Sequence, residues 1–186
     1  MFRMNMILAA SALAISTAVA DPVVNAANGH TYNLVYGNLS WAAANTLAQS
    51  LGAGWHLATV TTAAEQTFIA NSVIGNNSGT EFWLGGFQDP VNGGVDQNWH
   101  WVTGEAWDFT HWNAGEPNDY TGTSEDYLGI WGSGTWAWND EGYQGNISGY
   151  IVENSTAAVP EPTSIALMGL GLLGLGFAGY RKGKKA

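Results

Sequence analysis

The sequence predicts an α+β domain: two helices come first, then short strands in small antiparallel sheets around a long irregular loop region. Three observations carry that prediction. An amphipathic segment opens at Ser40, and a capping box reads Thr62-Ala-Ala-Glu65. After residue 80, short aromatic or β-branched runs alternate with Gly-, Asn- and Asp-rich loops.

Each element has a local cause. Ser40 can cap a first helix that places Trp41, Ala44, Leu47, Ala48 and Leu51 on one face and stops at Gly52. The capping box opens a second helix whose Phe68, Ile69 and Val73 face inward, with Gly75 ending it. Strand-like runs at 31–35 and 56–60 precede and separate the helices. Others follow at 81–86, 99–102, 127–131 and 150–153. The stretch 103–126 is polar and irregular, and loops of that length inside a compact domain are usually functional. No internal repeat is visible. The folded domain is expected to span residues 21–154.

Composition narrows the classes. At 46% hydrophobic, the 186-residue chain is globular rather than wholly disordered. A net charge of −10 argues against a nucleic-acid partner, because phosphate binding needs basic groups. The basic residues are Arg3, Arg181, Lys182, Lys184 and Lys185, so positions 21–180 hold no Lys or Arg. Clustered acids there must stay solvated, take up protons, or bind a cation from solution.

The two ends read as addresses. Residues 1–20 have a short basic start at Arg3, an apolar run and an Ala18-Val19-Ala20 cleavage site, which is the pattern of a secretory signal peptide. Export means that the absence of cysteine is no sign of the cytosol. Residues 155–164 form a linker. Residues 165–186 are an apolar span and a basic tail. As a helix, 165–180 reaches about 24 Å against a hydrocarbon core of roughly 30 Å. It reads as a late membrane stop with its basic tail on the cytoplasmic side. This end resembles the PEP-CTERM sorting signal of Gram-negative bacteria, on Val159-Pro160-Glu161-Pro162, the Gly/Leu-rich span and the Arg/Lys cluster. The resemblance implies an exosortase-type processing protease and delivery to the cell surface or extracellular matrix. Within the span, Gly169 to Gly174 spells a dinucleotide-binding fingerprint. That reading fails, since no strand precedes it and no acid follows at the required distance.

The acidic loop carries the chemistry. Glu116-Pro117-Asn118-Asp119, Glu125-Asp126 and Asn139-Asp140 supply hard oxygens with no basic residue near in sequence. Two readings stand from these residues alone. One is a solvated loop in which Asn and Asp serve turns. The other is a Ca²⁺ site, because Ca²⁺ accepts six to eight oxygens in irregular geometry. Zinc would want His or Cys; the histidines at 30, 56, 100 and 111 lack ligand spacing along the chain. A cis Glu116–Pro117 bond could turn both flanking side chains toward one ion. An Asn oxygen can bind the metal while its NH₂ donates to a ligand hydroxyl, and carboxylates can accept from one.

The pieces together resemble a C-type lectin-like domain over residues 28–154. The segment 41–48 resembles its first helix, and Trp55-His56-Leu57-Ala58 with Glu65 its second-helix entry. Phe82-Trp83-Leu84-Gly85-Gly86 resembles its central strand. Trp101 to Glu105 and Trp112 to Asn118 follow in order, then Trp138-Asn139-Asp140 and Tyr150 to Glu153. The resemblance implies Ca²⁺ ligands at Glu116, Asn118, Glu125, Asn139 and Asp140, which would also touch sugar. It implies an auxiliary metal site at Asp89, Asp119 and Asp126. The Glu-Pro-Asn tripeptide implies mannose-, glucose- or fucose-like ligands. The gap from Asn118 to Glu125 is about one residue longer than is common in the family. The family's two disulfides fall on Ala48 with Val152 and Tyr127 with Tyr143, and aromatic burial is the expected compensation.

Among the tryptophans, Trp83, Trp101 and Trp138 are expected in the core, while Trp107, Trp131 and Trp136 are open between packing and stacking on sugar. The expected function is an exported, Ca²⁺-dependent carbohydrate-binding surface protein whose partner is an exopolysaccharide or cell-surface glycan. The alternative is a module of the same fold that binds a protein or another surface, with Ca²⁺ only structural. No catalytic residue is expected: metal-bound carboxylates are poor general acids, and no nucleophile arrangement is present.

Overall fold

A computed structural model describes residues 21–76, 81–89, 94–120, 124–132 and 135–156. The expected signal peptide and the apolar span with its basic tail lie outside the described residues. The chain runs β1 (Val23–Val24), β2 (Thr31–Tyr36), α1 (Trp41–Ser50), β3 (Trp55–Leu57) and α2 (Ala63–Phe68). A π-helical turn over Ile69–Ile74 extends α2. Then come β4 (Glu81–Gln88), β5 (Trp99–Trp101), β6 (Tyr127–Trp131), β7 (Ala137–Glu141), a 3₁₀ turn (Gln144–Asn146) and β8 (Ile147–Asn154).

Both predicted helices form, with local differences. The Ser40 side chain accepts from the Ala43 N–H at 3.3 Å. The inward stripe of α1 is Trp41, Ala44 and Ala48. Leu47 and Leu51, expected on that face, are 38% and 55% exposed. The small alanines make the buried stripe narrow, Leu47 falls at its rim, and Leu51 is already the C-cap. In α2, the Thr62 hydroxyl accepts from the Glu65 N–H at 3.2 Å. Glu65 closes the box one residue early, accepting from the Thr61 N–H at 2.8 Å. Gly75, at φ 63°, ends the helix.

The strands join in one sheet of order β1-β2-β8-β4-β6-β7, with β3 on β8 and β5 on β4. The expected antiparallel pattern holds except at the centre, where β4 and β8 run parallel. Strand β8 pairs antiparallel with β2, so the last strand of the described domain lies beside one of its first. The strand from 56 is also shorter than expected: Ala58, Thr59 and Val60 leave the ladder but stay buried.

Two buried clusters flank the sheet. One packs α1 against it through Trp41, Ala44, Ala48, Leu57, Trp83, Tyr150 and Val152. Ala48 and Val152 are both fully buried there, so apolar packing stands at that pair. At the other pair the expected compensation is half right. Tyr127 stacks on Trp41 with centroids 4.8 Å apart, but Tyr143 is 68% exposed and adds no burial.

The second cluster holds Trp99, Trp101, Trp136 and Trp138, with Trp107 and Trp112 packed against it. Trp83, Trp101 and Trp138 are buried as expected, and Trp107 lies 4.4 Å from Trp101 between ring centroids. This cluster positions the long loop. The Trp138 N–H donates to the His111 carbonyl and the Asn113 N–H to the Trp138 carbonyl, each at 2.8 Å. Segment 111–113 is thereby held beside β7, and the acidic tripeptide follows directly.

Candidate functional site

The Glu116–Pro117 bond is cis, and Glu116 and Asn118 line one cleft of about 530 Å³. That volume suits a small ligand. Glu125 and Asn139 line the same cleft. Of the five expected ligands, Asp140 alone does not line it. It is buried beneath the loop, where Oδ1 and Oδ2 accept from the Asn118 N–H and Oδ2 also accepts from the Asp119 N–H at 2.8 Å. Glu125 is tied in similarly: Oε2 accepts from the Tyr120 N–H at 2.6 Å. Asp119 Oδ1 in turn accepts from the Glu125 N–H at 3.0 Å. The longer gap between Asn118 and Glu125 therefore does not stop Glu125 from reaching the cleft.

The strands bring two acids that sequence reading missed. Glu81 at the start of β4 and Glu141 at the end of β7 also line the cleft, and both are buried. Glu141 had a signal: it lies two residues beyond Asn139, hence on the same face of β7. Glu81 had none, because only the β4–β6–β7 register places it there. Glu141 Oε1 accepts from the Tyr143 N–H at 2.5 Å, and Oε2 from Asn146 Nδ2 at 2.7 Å. Trp131, one of the open tryptophans, lies on the cleft wall with its ring partly exposed, as does the exposed Tyr120. Trp136 is core.

These acids press on one another. Burial, with Glu141 nearby, pushes Glu81 up to about 8. Burial and the adjacent Asp140 push Glu116 to about 7. Burial, then Asp140 and Glu141, push Glu125 to about 7 against the opposing hydrogen bond from Tyr120. Glu116 Oε2 is buried with no hydrogen-bond partner. A buried carboxylate oxygen without a donor is costly unless a proton or a cation meets it. The donor set is all oxygen and irregular, which fits Ca²⁺ and not a soft metal.

The expected auxiliary residues converge as well. Asp89, Asp119 and Asp126 line a second, smaller cleft of about 100 Å³. Asp119, at φ 47°, links the two clefts through its bond to the Glu125 N–H.

One grouping was not visible in the spacing along the chain. The histidines lack ligand spacing along the chain, yet the fold sets His30 Nδ1 2.5 Å from Glu153 Oε1. Tyr32 donates to Glu65 Oε1 at 2.5 Å, and the ligand atoms of His30, Glu65 and Glu153 lie within 4.8 Å of one another. Sequence separations of 35 and 88 residues hid this group; strand β8 pairing with β2 creates it.

The family model for the lectin C-type domain matches residues 37–146. The chain belongs to the C-type lectin domain family. A second model, the PEP-CTERM protein-sorting motif, matches residues 158–182, outside the described residues. The lectin domain is 33% identical to lithostathine of Rattus norvegicus over 51% of this chain and 55% of that protein. It is 34% identical to ladderlectin of Oncorhynchus mykiss over 67% of this chain and 63% of that one. The chain thus spans less than two thirds of these relatives' length. Among solved structures, the C-type lectin CEL-I of Cucumaria echinata superposes with a TM-score of 0.58 at 24% identity, over 67% of this chain and 89% of that one. A calcium-independent type II antifreeze protein gives 0.55 at 21%, over 72% and 95%. These two share the fold.

Proposed function

We propose that this C-type lectin domain is exported and binds carbohydrate through Ca²⁺ held in the larger cleft. The buried, unpartnered Glu116 Oε2 is the observation that carries the reading. No Lys or Arg occurs between positions 21 and 180 to satisfy it. Glu116, Asn118, Glu125 and Asn139 would hold the ion and meet sugar hydroxyls, with Asp140 supporting the set from below. Ca²⁺ supplies a charge that vicinal hydroxyls can coordinate. Carboxylate oxygens accept from those hydroxyls, and the amides donate. The Glu-Pro-Asn sequence supports a mannose-, glucose- or fucose-like preference. Asp89, Asp119 and Asp126 would hold an auxiliary ion.

The sorting motif at 158–182 supports export and processing by an exosortase-type protease, with residues 1–20 as the signal peptide and 21–154 as the displayed domain. The span at 165–180 would anchor the chain until processing. Among the described residues no helix is long and apolar enough to cross a membrane. The glycan would be an exopolysaccharide or the surface of another cell.

A second reading has its own support. One structural neighbour is a calcium-independent antifreeze protein, so this fold also serves without the ion. In that reading the domain binds a protein or another surface, with Ca²⁺ at most structural. Calorimetric titration with mannose, with Ca²⁺ and then with EDTA, separates the two. Binding heat that EDTA abolishes supports the lectin reading. Metal uptake without sugar heat supports the second, and no metal uptake at millimolar Ca²⁺ overturns the first.

A further inference from the structure

Three strands meet in an unusual way under the cleft. Glu81 starts β4, Gly129 sits inside β6 and Asn139 inside β7. Gly129 pairs with Trp83 on one side and with Asn139 on the other. A β-strand interior disfavours Gly, so its presence between Leu128 and Ile130 marks a close approach. The approaching group is Glu81. A Cβ built at Gly129 would collide with Glu81 Oε1 and lie 2.9 Å from its Cδ. The Glu81 side chain thus crosses β6 through the space that Gly129 leaves empty. On the far side its Oε1 accepts from Asn139 Nδ2 at 3.2 Å.

We propose that Glu81 is a positioning residue for Asn139, and that Gly129 is the gap that lets it reach. A side-chain amide has two faces, and either can turn into the cleft. Because Glu81 Oε1 accepts from Asn139 Nδ2, the NH₂ face is turned to Glu81 and Asn139 Oδ1 is the atom offered to an ion. The same bond uses one of the two Asn139 N–H donors and leaves the second for a sugar hydroxyl. Asn146, the neighbouring amide, donates to Glu141 Oε2 at 2.7 Å. This inference rests on Ca²⁺ being the ion of the cleft.

A double-mutant cycle on the full chain tests it. Partners that orient a metal ligand typically contribute about 10- to 100-fold in metal affinity. Glu81→Ala and Gly129→Ala are each expected to weaken Ca²⁺ uptake by about tenfold or more. Gly129→Ala in the Glu81→Ala background is expected to cost nothing further, because no carboxylate is left to displace. Glu81→Gln, which keeps the acceptor oxygen, is expected to retain most of the affinity. Additive losses, or a Glu81→Gln loss as large as that of Glu81→Ala, overturn the proposal. In EDTA, the Asn139 side-chain amide protons are expected to exchange slowly in the parent protein and quickly in both single variants. If the parent takes up no Ca²⁺, the proposed function falls, while this metal-free exchange still decides the contact. Unchanged exchange in Glu81→Ala overturns it.

Discussion

Asp140 accepts the main-chain N–H of Asn118 with both carboxylate oxygens, at 3.0 and 2.9 Å, across 22 positions of sequence. One buried acid on β7 therefore holds the acidic tripeptide against the sheet, so loop and strand act as a single unit. The proposed ligand set, spread over loop and strand, is thereby preorganised without a disulfide or a nearby cation. Preorganisation of this kind sets affinity by lowering the ordering cost of binding.

Asp140→Ala is expected to strand the Asn118 and Asp119 N–H groups and let the loop drift. A hydrogen bond to a charged acceptor contributes about 1.5–3 kcal/mol. Urea unfolding in EDTA should show a loss of that size, and Ca²⁺ uptake should fall together with it.

The raised carboxyls give the metal-free domain an inverted pH dependence. Glu81 near 8 and Glu116 and Glu125 near 7 all lie above the ordinary value of 4.5. Each then binds its proton more tightly folded than unfolded. That stability is fully present below 4.5 and is lost as pH rises through 7 to 8. Melting temperature in EDTA should therefore fall from pH 5 to pH 8. Millimolar Ca²⁺ should remove the slope, because an ion replaces the protons. A melting temperature in EDTA that rises across this range contradicts the site's electrostatics.

Gln66 joins α2 to β7 at both ends of its amide. Its Nε2 donates to the Trp136 carbonyl at 2.7 Å, and its Oε1 accepts from Trp138 Nε1 at 2.9 Å. Gln66→Leu keeps much of the volume and orphans two buried groups. A loss of about 2–4 kcal/mol is expected by chemical denaturation, with Ca²⁺ uptake recovering once the protein is folded.

Trp131 lies on the cleft wall with Tyr120, where the proposed function would place a sugar ring. Trp131→Ala should weaken mannose binding about two- to tenfold, the scale of one aromatic contact. Calcium affinity should be unaffected, and calorimetry at saturating Ca²⁺ reads the two separately. Equal losses of both would make Trp131 a structural wall only.

How much was legible follows residue by residue. Ser40, Thr62 and Gly75 act within a few positions of themselves, so both helices could be read from spacing. That Glu116, Asn118 and Asn139 share a cleft could be read because they flank Pro117 and Trp138, and Glu125 because the family resemblance pointed to it. Leu47 and Leu51 misled because periodicity shows which way a side chain points and not how wide the partner surface is. The parallel β4–β8 pairing and the His30–Glu153 pair depend on strand register, which no local pattern encodes.

By itself the sequence determined the α+β class and the acidic, lysine- and arginine-free character of the loop region, because caps, hydrophobic period and charge inventory are properties of neighbouring residues, and the order of its motifs carried the resemblance to the family. The tertiary structure alone decided that Glu81 passes over Gly129 to Asn139, that Glu141 joins the cleft and that Asp140 lies beneath it. Those outcomes turn on which strands lie side by side. A shift of one residue in that alignment would reverse every side chain's face.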